Sequence, residues 1–194
     1  MYAAAISLFV EKGFDSTTMD DIAERADVAR ATVFNHFPRK AAFIDEWTAR
    51  RRERAAVALR IDDLGQAPLR SVLNRYFTAM CAISQASAAS RRETVALMSA
   101  AVHSTSVLSR SDLSQDVSRL AAQARKNGEL DASADPNLIG MLAVSAYLTV
   151  LIEWISEDPA PFTLSEKVAA TIDLLLDGVA PAGPARPGPG TPQR

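Results

Sequence analysis

Cysteine and histidine are almost absent from the chain. It has one Cys, Cys81, and two His, His36 and His103, in 194 residues. A single thiol excludes a disulfide framework and a cysteine-built metal site within one chain, and it fits a reducing cytoplasm. Two histidines without a nucleophile motif leave no catalytic triad. No His/Asp/Glu cluster has metal-ligand spacing and no glycine-rich loop could cradle phosphates, so neither an enzyme, a cofactor nor a metal is expected. Strand signals are lacking too. Apolar residues recur at helical spacing throughout, which predicts an all-α chain of about nine helices. The N-terminus shows no charged segment followed by an apolar run, so no signal peptide is expected. Long hydrophobic runs are limited to Leu138–Ile155, whose single charge is Glu153. That length is at the short limit for a membrane span. A helix buried on both sides, by its own domain and by a partner subunit, explains it better, and no membrane partner is expected.

Charge of one sign is also lacking overall, with a formal net of −2. Residues 1–60 carry ten Lys/Arg against nine Asp/Glu, and residues 61–194 carry eleven against fourteen. The run Arg50-Arg51-Arg52-x-Arg54 reads as the solvated face of a helix. What decides the reading is residues 17–43. Ile22, Ala23 and Ala26 lie on one stripe of a first short helix. Ala29–Asn35 forms a second, with Val33 facing the same core. Helices this short cannot fold alone. A third, Ala4–Val10, supplies the missing wall through Ile6, Phe9 and Val10, and Gly13 ends it ahead of Phe14. This is a helix-turn-helix unit, whose second helix can enter the major groove of DNA.

The residues Gly13-Phe14, Thr17-Thr18, Ile22-Ala23, Ala26-Asp27-Val28-Ala29, Ala31-Thr32-Val33-Phe34-Asn35-His36-Phe37 and Lys40 resemble the TetR family of bacterial transcriptional regulators. The likeness covers the first quarter of the chain. It implies a DNA-binding domain of three helices followed by a larger helical domain for effector binding and dimerisation. Three departures stand out. Asp27 occupies a turn position where the family has Gly, in a conformation expected to be left-handed and to cost about 1 kcal/mol. Ala29 replaces Ser and removes a side-chain N-cap. Phe34 replaces Tyr and removes a hydroxyl. No basic segment precedes the first helix. Weaker anchoring on the DNA backbone is therefore expected.

The resemblance places Arg30, Thr32 and Asn35 on the exposed face of the recognition helix. Arg30 suits guanine, Asn35 suits adenine or a phosphate, and Thr32 suits a thymine methyl or a phosphate. Thr18, His36 and Lys40 sit where family members touch the backbone. Ile22, Ala23, Val28, Val33 and Phe37 are expected in the core.

Beyond the motif, helices are expected over Arg39–Arg60, Leu69–Ser87, Arg91–His103, Ser111–Lys126, from Asp135-Pro136 to Asp158-Pro159, and over Leu164–Leu176. Ser104–Ser109 reads as a loop and Gly178 as a stop. Three segments result: a DNA-binding domain over 1–44, a larger helical domain over 45–179, and a disordered Pro/Gly-rich tail over 180–194. In the larger domain, Tyr76, Phe77, Met80, Met98, Met141, Tyr147 and Trp154 are the candidate lining of an effector pocket, with His103 as a polar contact. Carboxylates are scarce there, and an apolar or aromatic effector is expected rather than an anionic one. The resulting expectation is a homodimeric repressor, released from a palindromic operator in double-stranded DNA by a small effector. The alternative is a helical carrier or sensor of hydrophobic molecules, which has no need of Arg30 or Lys40 beside a tight turn.

Overall fold

The computed structural model describes residues 1–57, 67–102 and 112–178. His103, the expected loop 104–109 and the expected tail 180–194 lie outside them. Among the described residues the chain forms nine helices and no strand. These are α1 (Tyr2–Lys12), α2 (Met19–Arg25), α3 (Arg30–His36), α4 (Ala41–Val57), α5 (Leu69–Gln85), α6 (Ala88–Val102), α7 (Asp112–Lys126), α8 (Pro136–Ser156) and α9 (Leu164–Asp177).

Local chemistry sets most of the boundaries. Gly13 ends α1 with a φ of 86°, and Gly128 follows α7 with a φ of 79°, a region that favours glycine. Asp135 caps α8 by accepting from the Asn137 N–H at 2.9 Å, and Pro136 occupies the first helical position. The α6 boundary differs from expectation. That helix starts at Ala88, not Arg91, because Ser87 Oγ accepts the Ser90 N–H at 3.1 Å.

Phe9, Ile22, Val33 and Phe43 are fully enclosed where α1 to α4 meet. Val10, expected in this core, is exposed; Ala5 and Leu8 join Phe9 and Ile6 instead. Phe43 stacks on Phe37 at 3.9 Å and meets Phe9 edge-on at 6.2 Å, so α4 closes the N-terminal unit before running on. The helix crosses residues 44 and 45 without a break.

Among the remaining helices, α7 and α8 pack most closely. A Cβ at Gly140 would fall 2.2 Å from Ser118 Oγ and 2.5 Å from the Ser114 carbonyl, so the missing side chain permits the approach. Among the described residues α8 is the helix long and apolar enough to cross a membrane, with half of its most apolar stretch buried inside the chain. Its other side is uncovered: Leu138, Met141, Leu142 and Ile152 are each 40–48% exposed. Met141 therefore does not line an interior pocket. The helix rotates it outward, onto the stripe shared with Leu138, Leu142 and Ile152.

Candidate nucleic-acid interface

The recognition unit is built around one tight turn. Arg25 closes α2, and Asp27 then adopts a φ of 52°. The Val28 N–H donates back to the Ala23 carbonyl at 3.1 Å, and the Asp27 N–H donates to the Glu24 carbonyl at 3.1 Å. This pair of bonds is a Schellman stop, with Asp in the left-handed position usually given to Gly. It aims the chain so that α3 begins two residues later. Ala29 is the N-cap and gives no side-chain bond. Val33 is fully buried beneath α3, which fixes the opposite face outward.

On that face Arg30 and Asn35 are exposed and Thr32 is half-buried. Arg30 is not idle. Its Nε pairs with Asp20 at 3.0 Å and its guanidinium lies 5.3 Å from the Phe34 ring centre. An exposed pair of this kind is worth about 0–1 kcal/mol, so a base edge competes with it easily. His36 Nδ1 lies 3.0 Å from the Thr32 carbonyl. A carbonyl only accepts, so Nδ1 carries the proton. The neutral ring then offers an acceptor at Nε2, and only the imidazolium could donate to a phosphate.

Thr18 stands at the N-cap of α2 in a capping box. Its Oγ1 accepts the Asp21 N–H at 3.1 Å, and its own N–H donates to Asp21 Oδ2 at 2.6 Å. Its backbone N–H is thus spent, and the hydroxyl proton is what remains for a phosphate. Asp21 also pairs with Lys12 at 2.7 Å. Together these contacts hold its carboxyl well below the usual carboxylate range, the Lys12 bond having the largest effect.

Lys40 differs most from expectation. Its ammonium turns inward and donates to the carbonyls of Phe14, Asp15 and Thr17 at 2.5, 3.2 and 2.9 Å. It also lies 4.4 Å from the Phe14 ring centre. All three donors hold the turn between α1 and α2, so in this conformation Lys40 positions Thr18 rather than a phosphate. The other cations of residues 1–47 are paired as well: Arg25 with Glu11 at 2.8 Å and Arg39 with Asp45 at 2.9 Å, in addition to Lys12 and Arg30.

Residues 2–47 match a model described as bacterial regulatory proteins, tetR family. Over these residues the chain is similar to the N-terminal domain of that family. The chain is 52% identical over 42 residues to YdeS of Bacillus subtilis (strain 168), an uncharacterised HTH-type transcriptional regulator; the match takes in 22% of this chain and 21% of that protein. IcaR of Staphylococcus aureus (strain Newman), an HTH-type negative transcriptional regulator of a biofilm operon, is 43% identical over 42 residues, 22% of this chain and 23% of its own. The chain thus matches only about a fifth of the length of these curated relatives. In structure it resembles Thermus thermophilus FadR, a TetR family transcriptional repressor solved in complex with lauroyl-CoA. That likeness has a TM-score of 0.68 at 24% identity and covers 98% of this chain and 97% of that one, which establishes the fold.

The expected pocket residues fall into two groups. Tyr76, Phe77, Met80, Met98, Tyr147 and Trp154 are all buried. Phe77 lies between the two tyrosines, 5.8 Å from Tyr76 and 5.3 Å from Tyr147. Burial pushes the Tyr76 hydroxyl up to about 12, and it raises Tyr147 as well. Met141 stands apart on the outer face. A cavity of about 520 Å³ opens beside Trp154, bordered by Gln85, Arg91 and Phe162.

One residue of this region differs from the sequence-based expectation. Arg51, expected with the rest of its run on the solvated face of its helix, is only 5% exposed. Its place was visible in the register. Phe43, Trp47, Arg51 and Ala55 follow one another at intervals of four along α4, and all four are buried. Arg52, also in that run, is half-buried and pairs with Asp112 at 2.8 Å and Asp116 at 3.0 Å.

Proposed function

We propose that the protein is a DNA-binding transcription regulator, a repressor that leaves a palindromic operator when a small effector binds. The observation that carries this reading is the outward face of α3. Buried Val33 anchors the helix, and Arg30, Thr32 and Asn35 face away from the core at the spacing a major-groove reader needs. Thr18 and His36 flank it as backbone contacts.

The functional unit is a homodimer. The stripe Leu138, Met141, Leu142 and Ile152 on α8, with Leu174 on α9, supports a four-helix interface with a second copy. A stable contact there buries more than about 1,200 Å². Two-fold pairing presents two identical recognition helices, hence a palindrome. In the larger set of helices, the apolar or aromatic body of the effector lies near Phe77, Met80 and Tyr147.

The test is retardation of a DNA fragment from upstream of the protein's own gene. Affinity falls with salt by a slope of about −0.9 per phosphate neutralised. Arg30→Ala costs about 1–3 kcal/mol at one base pair of each half-site. A dimeric, folded protein that binds this fragment no better than random DNA would count against the reading.

A further inference from the structure

Arg51 is a buried cation without a counter-charge. It sits inside α4, 5% exposed, with its guanidinium 4.6 Å from the Trp47 ring centre. Its Nη2 donates to Ser84 Oγ at 2.5 Å and to the Met80 carbonyl at 3.2 Å. Both acceptors are neutral. Among the described residues no carboxylate pairs with Arg51, whereas its neighbour Arg50 has one and Arg52 has two. Glu93, the carboxylate on the facing helix α6, is taken by the Trp47 indole N–H at 2.7 Å.

A second observation meets it from the opposite side. The Tyr147 hydroxyl, on α8, is enclosed and has no hydrogen-bond partner. It lies beside the Arg51 guanidinium, close enough for that group's charge and N–H to favour the phenolate, although no bond of full geometry joins them. Buried donors in folded proteins are paired as a rule, and buried charges almost always are. Here a guanidinium and a phenol meet from two helices with no anion between them, so the charge of Arg51 is met only by neutral oxygens. The surrounding wall is apolar: Trp47, Phe77, Met80 and Cys81.

We propose that Arg51 and Tyr147 bind the anionic head of an amphiphilic effector, a monocarboxylate on an apolar chain or ring. This inference rests on the reading of the larger helical set as effector-binding. It reverses the sequence-based expectation of an uncharged ligand. A scarcity of carboxylates argues against a cationic effector and leaves an anionic one open. Arg51 supplies the charge and planar donors that match a carboxylate. Tyr147 adds a third donor, and the aromatic and thioether side chains take the tail.

The test uses the full-length protein without DNA, so its outcome is independent of operator binding, which is followed separately by retardation. Thermal stability is titrated with two matched pairs of probes: dodecanoate against dodecanol, and 1-naphthoate against 1-naphthalenemethanol. At least one carboxylate is expected to raise the melting temperature and to bind at least tenfold more tightly than its alcohol. Arg51→Met is expected to bring that ratio close to one. Without probe its melting temperature should equal or exceed that of the wild type, because replacing an unpaired buried charge by an apolar chain is often stabilising. Tyr147→Phe is expected to lower the ratio at least threefold. Equal response to acid and alcohol, or no response to either carboxylate, overturns the proposal. So does an Arg51→Met protein that keeps the preference. If Arg51→Met melts much lower or fails to fold, Arg51 is a structural tie, and a Tyr147→Phe protein with an unchanged ratio would complete the refutation.

Discussion

Lys40→Met separates two roles that one lysine could have at the edge of a DNA-binding domain. Methionine keeps the length of the apolar stem and removes the ammonium. In the structure that ammonium bonds three backbone carbonyls, of Phe14, Asp15 and Thr17, and sits over the Phe14 ring. A bond to a charged donor is worth about 1.5–3 kcal/mol net and an exposed cation–π contact about 0.5–1. One ammonium makes all of them and is partly solvated, so they do not add; a total of about 2–3 kcal/mol is reasonable. For a chain of this size that lowers the melting temperature by roughly 4–12 °C. Measurement by calorimetry at fixed protein concentration removes the effect of dimer dissociation. Operator affinity should fall too, because the Thr18 turn loosens. The plot of log affinity against log salt should keep its slope, since no phosphate contact has been lost. A phosphate-binding Lys40 would do the reverse: an unchanged melting temperature and a slope about 0.9 shallower. That pair of results would refute the structural role.

Asp20→Asn should release Arg30 from its 3.0 Å pair and remove a negative charge beside the recognition helix. Operator affinity is expected to rise severalfold at low salt, with stability changed by less than about 0.5 kcal/mol; retardation assays showing weaker binding would contradict the placement of Arg30. Gly140→Ala puts a Cβ 2.2 Å from Ser118 Oγ and 2.5 Å from the Ser114 carbonyl. Overpacking of about 1–3 kcal/mol or more should outweigh the roughly 1 kcal/mol that Ala gains in a helix, so the melting temperature should fall; a rise would mean that α7 and α8 separate freely. Glu11 is held down to about 2, chiefly by the Arg25 guanidinium and then by the Ser7 hydroxyl. A depressed carboxylate gives stability above its ordinary range that is lost as pH falls from about 4.5 towards 2. The melting-temperature gap between wild type and Glu11→Gln should therefore close across that window, and a constant gap would show that the ion pair is immaterial.

Chain breaks were legible in the sequence because their causes are local. Gly13, Asp27, Gly128 and the Asp135-Pro136 pair each act through backbone freedom or a cap two or three residues away, and each acts that way in the structure. The facing of side chains was less legible, because it is set by partners distant in sequence. Val10 fits the apolar stripe of α1, yet the turn of that helix gives its place to Leu8. Met141 is as apolar as its neighbours, and only the packing of α7 on the opposite side of α8 turns it outward. Lys40 reaches carbonyls 23–26 residues earlier, a contact that no local pattern encodes. Arg51 sits in register with Phe43, Trp47 and Ala55. Its charge masked a periodicity that was already present.

The position of Arg51 bears on how a ligand would reach the DNA-binding helices. Eight residues separate it from Phe43, about 12 Å along a continuous helix. Phe43 is wedged between Phe37, at the end of α3, and Phe9 of α1. Trp47, between them, ties the same helix to Glu93 on α6, and α6 in turn packs on α1. Movement of the middle of α4 is therefore passed to the recognition unit by two routes, directly through Phe43 and through α6 onto α1. A carboxylate at Arg51 need not break the bonds to Ser84 and Met80, because Nη2 makes both and the other donors remain. Coupling then has to come from where the carboxylate draws the guanidinium relative to α5, not from exchange of one bond for another. Such a shift releases operator DNA only to the extent that the drawn position binds the carboxylate better than the DNA-competent one does. The same factor must appear when operator DNA weakens carboxylate binding, and a tenfold effect in either direction corresponds to about 1.4 kcal/mol, well within what a displaced buried charge can supply.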